Sequence, residues 1–266
     1  MKKLFLGSVA LVALGLGAPA AHAADMRVAA YAPPPPPVYT WSGCYVGASA
    51  GSSAGRSQHV AVAGSTFNNP GFANNVIPAG TNITDSFNVS GFIGGFQGGC
   101  NWQWGAWVFG FEGDGSATNK EGQAFETPLA PLSGVSQNWV SQTQERWLVT
   151  ARARLGWTIW DKTMVYATGG AAWAKIDASE WVFAANGTGP IRTGHQESNT
   201  RSGWTVGGGA EYALGYGWSA KGEYLYVKFD DYTTFTAGPF ATFAVSPRQV
   251  KLEDHIFRAG MNYRFW

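Results

Sequence analysis

After residue 23 the chain never stays apolar for the ~20 residues that a membrane-spanning helix needs, which excludes a helical membrane protein. Charge is scarce as well. Asp, Glu, Lys and Arg make up 13% of the residues, about half the share of an ordinary soluble domain. The formal net charge of +1 gives no attraction for nucleic acid or another polyanion. His59, His195 and His255 stand isolated, with no H-E-x-x-H and no Cys/His cluster, so no metal centre is expected. No G-x-G-x-x-G and no P-loop occurs, and no cofactor is expected.

What is abundant is aromatic and small. Phe, Trp and Tyr reach 15%, with 36 glycines and 13 tryptophans. The chain opens on a basic pair, an apolar run over Leu4–Gly17, Pro19, and Ala21-His22-Ala23. That is the pattern of a cleaved secretory signal peptide over residues 1–23. Residues 24–40 contain the Pro33–Pro37 run, which reads as a polyproline II spacer before a folded domain over 41–266. Two cysteines in an exported chain, Cys44 and Cys100, are candidates for one disulfide.

From Trp41 onward the hydrophobic period is two. In ERWLVTARARLGW, Trp147, Val149, Ala151, Ala153, Leu155 and Trp157 alternate with Arg146, Leu148, Thr150, Arg152, Arg154 and Gly156. Phe257, Ala259, Met261, Tyr263 and Phe265 alternate with Arg258, Gly260, Asn262 and Arg264. Strands are expected near 41–51, 88–102, 105–115, 142–158, 163–176, 199–213, 217–229 and 249–265. Long connections (52–87, 116–141, 177–198, 230–248) then alternate with tight turns. This is the signature of an all-β, eight-stranded antiparallel up-and-down transmembrane barrel, with short periplasmic turns and four long extracellular loops. Trp41, Trp102, Trp104, Trp107, Trp157, Trp160, Tyr216, Trp218 and Phe265 cluster at the short-turn end. Trp139, Trp181, Tyr226 and Phe229 lie near the loop end. Both sets are expected to form interface girdles. A soluble β-sandwich shares the alternation, but it has no need of tryptophans at so many strand ends.

The same parity assigns a lumen. Glu112, Asp114, Glu211 and Glu223 share the inner face with Arg152, Arg154, Lys221 and Arg258. Placing one of these cations on lipid would cost about 2–4 kcal/mol at the midplane. Acids and bases balance, so an ion-pair network is expected. A barrel of this size is only about wide enough for its own side chains, so a filled polar core competes with a narrow path for small solutes. Gly47-Ala48-Ser49-Ala50-Gly51 matches the G-x-S-x-G nucleophile elbow, but no helix follows the strand as that elbow requires. Asp230-Asp231 reads as a solvated loop pair, and no enzyme is expected.

The parity also points Cys44 and Cys100 the same way, near the short-turn ends of adjacent strands, and a register that opposes them would allow a cross-strand bridge. Two separate thiols are the alternative.

The stretches WSGCYVGASAG, GGFQGGCNWQWGAWVFGFEGD, ARARLGW…YATGGAAWA, WTVGGGAEYAL and WSAKGEYLYV resemble the small outer-membrane immunogenic, porin-like barrels of alphaproteobacteria. These belong to the wider OmpA-like eight-stranded group, and the resemblance spans about residues 40–266. It implies an outer-membrane location in a Gram-negative cell, surface-exposed antigenic loops and a porin-family label. Expected partners are outer-membrane lipid, lipopolysaccharide and the barrel-assembly machinery, with a monomer as the expected state. The function so implied is a structural envelope protein, with slow small-solute diffusion. The alternative is a binding or adhesin role of the loops, for hemin or a host surface. Two departures stand out. Cys44 and Cys100 replace residues that are usually aromatic or apolar. The C-terminal assembly signal, formed by Phe257, Met261, Tyr263 and Phe265, is followed by Trp266 one position out of phase.

Overall fold

The computed structural model describes residues 39–62, 66–67, 75–76, 78–126, 138–183, 190–191, 196–234 and 247–265. The expected signal peptide and the Pro33–Pro37 run lie outside the described residues, as do the side chains of Trp139, Trp181, His195 and Trp266.

Eight long strands close into one antiparallel ring: β1 (Gly43–Ala61), β2 (Phe87–Trp104), β3 (Trp107–Thr118), β4 (Asn138–Trp160), β5 (Thr163–Phe183), β6 (Gln196–Gly215), β7 (Trp218–Phe229) and β8 (Arg248–Arg264). Each pairs with its chain neighbour, and β1 pairs with β8 to complete the barrel. Short strand pieces at Glu121–Phe125 and Tyr232–Thr234 extend the upper rim against β4 and β8. The tight turns sit at Gly105, at Asp161-Lys162 and at Gly215-Tyr216-Gly217. In the last of these all three residues have positive φ, including Tyr216 at 52°, so the flanking glycines are what make so sharp a reversal cheap.

The strands overrun the expected boundaries at the loop end. β1 reaches Ala61, β5 reaches Phe183 and β4 begins at Asn138. Above the apolar layer both faces of a strand meet polar surroundings, so the hydrophobic contrast fades while the backbone ladder continues. The sequence pattern therefore stops before the strands do.

Outward residues form two aromatic bands with a waist of small side chains between them. The lower band holds Trp102, Trp104, Trp107, Trp157, Trp160, Tyr216, Trp218 and Phe265, all exposed. Two expected girdle members are corrected. Trp41 is only 3% exposed: it turns into the barrel floor with Val108, Met164, Tyr166 and Ala213. Phe229 is 2% exposed, because its odd position on β7 shares the inward parity of Leu225 and Val227. Toward the loop end, Phe92, Phe125, Trp173, Trp204 and Phe257 are exposed.

Candidate functional site: the barrel interior

The inward residues stack in layers. The floor is Trp41, whose backbone N–H donates to Gln103 Oε1 at 2.7 Å. Tyr39 packs edge-on against it with ring centroids 5.0 Å apart, and its own ring lies under the Arg264 guanidinium. Burial raises the Tyr39 phenol above its ordinary pKa despite that cation.

Above the floor lies the charge ring. All eight expected lumen residues are brought together, and none is more than 5% exposed. Glu112 on β3 is the hub. Its carboxylate lies 2.5 Å from Arg152 Nη2, 2.9 Å from Lys221 Nζ and 3.5 Å from Arg154 Nη1, and it accepts the Tyr45 hydroxyl at 2.7 Å. Glu223 accepts from Arg152 at 3.0 Å, from Arg258 at 2.7 Å and from the Tyr166 hydroxyl at 3.0 Å. Asp114 accepts from Arg258 at 2.7 Å, from Arg152 at 3.2 Å and from Thr150. Glu211 accepts from Arg154 at 2.8 Å, Ser219 at 2.6 Å and Asn262 at 2.9 Å. Four carboxylates thus face four cations, so the buried layer carries no net charge. Arg154 also lies over the Tyr166 ring at 3.9 Å.

The tyrosines of this ring were not singled out from sequence, although Tyr45 sits on the inward parity opposite Cys44 and Val46. Glycines admit them. A Cβ at Gly99 would meet the Tyr45 hydroxyl at 2.8 Å, and one at Gly209 would meet the Tyr166 hydroxyl at 2.8 Å. The Gly207–Gly209 run is therefore packed, not merely flexible.

Over the ring lies an apolar layer, which the alternation alone does not distinguish from the polar inner face. Ile93, Leu148, Leu225, Val227 and Ile256 fill the lumen, each 3% exposed or less. Next comes a second ionic set, Lys120 between Glu145 at 2.7 Å and Asp254, all essentially inaccessible. Asp254 has the inward parity of Arg258 and was legible. Glu145 was not, because a register shift between Glu145 and Trp147 interrupts the alternation. The same shift corrects Arg146: it leaves the expected inward row, is half exposed, and pairs with Asp177 at 2.8 Å. Nearest the rim, Arg248 meets Glu126 at 2.6 Å.

The remaining sequence candidates fall outside this interior chemistry. Ser49 faces inward between Gly260 and Gly95 on the flanking strands, so G-A-S-A-G is plain barrel wall. Asp230 and Asp231 are exposed, and Asp230 accepts a hydrogen bond from Ser202 at 2.9 Å. Cys44 and Cys100 stand directly opposite in the β1–β2 ladder and form a disulfide. Phe257, Met261, Tyr263 and Phe265 all face outward and are exposed. Among the described residues no group of His, Cys, Asp and Glu is arranged to hold a metal ion.

A closed antiparallel ring with charges inside and aromatic bands outside defines an outer-membrane β-barrel. The sequence profile of the outer membrane protein beta-barrel domain family matches residues 8–265, and the chain belongs to that family. It is 33% identical over 269 residues to the 31 kDa outer-membrane immunogenic proteins of Brucella melitensis biotype 1 and Brucella suis biovar 1, covering the whole of each chain. Among solved structures, the outer membrane protein OprG of Pseudomonas aeruginosa is similar at 12% identity and a TM-score of 0.46, over 85% of this chain and 99% of that one. The outer membrane protease OmpT of Escherichia coli is similar at 9% identity and a TM-score of 0.46, over 87% and 99%.

Proposed function

We propose that this protein is a non-enzymatic structural barrel of the outer membrane that displays its loops at the cell surface and keeps its lumen shut. The closed charge ring carries this reading. Each of its cations is bound to carboxylates, and an apolar layer lies directly above it. A hydrated solute would have to break several buried ion pairs to pass, each break leaving an uncompensated charge at about 3–5 kcal/mol. The name of the Brucella relatives, immunogenic proteins of the outer membrane, supports surface display of the loops.

Conductance of the folded protein, purified from outer membranes and inserted in a planar bilayer, tests the proposal. The expected result is a heat-modifiable, inserted and electrically silent protein. Discrete, reproducible steps in the unmodified chain would replace this reading with that of a small-solute porin.

A further inference from the structure

The outer surface of the barrel is not uniform around its circumference. On β7, β8, β1 and β2 the register stacks four different rows at successive heights. At the waist, Gly222, Ala259, Ala50 and Gly94 lie side by side. One step up, Tyr224, Phe257, Ser52 and Phe92 form the next row. Then come Tyr226 and His255, followed by Lys228, Glu253 and Arg56. Lys251 stands one step above, opposite Gln58.

The two lower rows border an open apolar concavity of about 1310 Å³, which reaches from Gly208 on β6 to Ala117 on β3. Barrel packing leaves room at Gly222, where a Cβ would meet nothing within 4 Å, whereas one at Gly208 would meet the Tyr166 carbonyl oxygen at 2.9 Å. Directly above, Arg56, Lys228 and Lys251 line a smaller cleft of about 230 Å³ with Glu253 and Asp231. Every cation of the charge ring is ion-paired, whereas Arg56, Lys228 and Lys251 pair with no carboxylate among the described residues. Glu253 is engaged by the Tyr226 hydroxyl at 2.9 Å, and Tyr224 bonds His255 at 2.8 Å. Aromatic groups with polar tips thus mark the level where hydrocarbon gives way to headgroups.

We propose that this face is a binding site for a phosphorylated, multiply acylated glycolipid of the outer leaflet. Its phosphates would sit on Arg56, Lys228 and Lys251, and its chains would lie in the concavity below. Charge complementarity selects an anionic headgroup. Width selects the number of chains. The concavity spans six strands, about 24 Å of arc at ~4.8 Å per strand, which is more than the two chains of a glycerophospholipid fill.

Native mass spectrometry on the protein extracted from outer membranes tests the site. Four probes are used: a bis-phosphorylated hexa-acyl glycolipid, its dephosphorylated form, phosphatidylglycerol and inorganic phosphate. One retained bis-phosphorylated glycolipid is expected. Removing all three cations (Arg56→Gln, Lys228→Gln, Lys251→Gln) should weaken retention on the order of a hundredfold, from about a factor of five per cation. Lys162→Gln in a periplasmic turn should leave it unchanged. Filling the concavity with Gly222→Leu should also weaken retention while every charge stays in place. Heat-modifiable mobility establishes that each variant is folded, and the lipid comparisons on the unmodified chain need no variant. Equal retention of the dephosphorylated lipid or of phosphatidylglycerol would overturn the proposal. So would displacement of the glycolipid by inorganic phosphate, or full retention by the triple variant.

Discussion

Arg152 and Glu223 meet at 3.0 Å across the inside of the barrel, from strands β4 and β7, which are not neighbours. A pair of this kind ties opposite walls together, whereas the backbone ladder ties only adjacent strands. Glu223→Gln leaves Arg152, Arg258 and Lys221 short of one negative charge in a site that water does not reach. Loss of one partner of a buried pair costs about 3–5 kcal/mol. Urea unfolding in lipid vesicles should show a drop of that size, and an unchanged midpoint would mean that the ring relaxes around the missing charge.

The Cys44–Cys100 bridge closes a separation of 56 residues that includes the whole first long loop. Chain-entropy reasoning gives such a closure about 4 kcal/mol as an upper figure. Cys44→Ser with Cys100→Ser should therefore still form a barrel, with stability reduced by about 2–4 kcal/mol. Alkylation of the unfolded protein without reductant should label neither cysteine, and labelling of both would remove the bridge.

Two glycines with opposite surroundings give a paired test. Gly209→Ala drives a methyl group into the Tyr166 hydroxyl and the Gly222 carbonyl oxygen. Overpacking of this kind costs about 1–3 kcal/mol, and it displaces the tyrosine that binds Glu223. Gly113→Ala places its methyl group 3.8 Å from the nearest atom, the Thr150 carbonyl oxygen. That change should stay within about 0.5 kcal/mol. Unfolding midpoints measured side by side separate packed glycine from spare glycine.

Deleting Phe265-Trp266 should lower the yield of barrel in the outer membrane. Phe265 continues the exposed row of Phe257, Met261 and Tyr263, the face offered to an assembly factor. Deleting Trp266 alone should change the yield little, since Phe265 holds the phase. Equal yields for all three forms, read by heat-modifiable mobility of outer-membrane fractions, would detach assembly from this row.

The barrel and its charge ring were legible because lipid outside and packing inside put opposite demands on alternate residues. Wherever both demands acted, as at Glu112, Arg154 and Arg258, parity alone placed the side chain. Legibility failed where one demand lapsed. Above the apolar layer β1 continues through Arg56, Gln58 and His59 with polar residues on both faces, and its length could not be read. Parity also fails at a bulge, which hid Glu145 and misplaced Arg146. Trp41 misled for a different reason: an aromatic at a strand end suits an interface band or a mouth plug equally well, and only packing decides between them.

The charge ring has a consequence for how the barrel comes into being. Tyr45 on β1 and Arg258 on β8 belong to one network, and these two strands, first and last in the chain, become neighbours only when the ring closes. A sheet inserted with that seam open would turn its inner face toward hydrocarbon. Each stranded cation there would cost about 2–4 kcal/mol, with the carboxylates adding more. A half-zipped sheet therefore has no resting place within the bilayer, and insertion and closure become one cooperative event in which the meeting of β1 and β8 is the committing step.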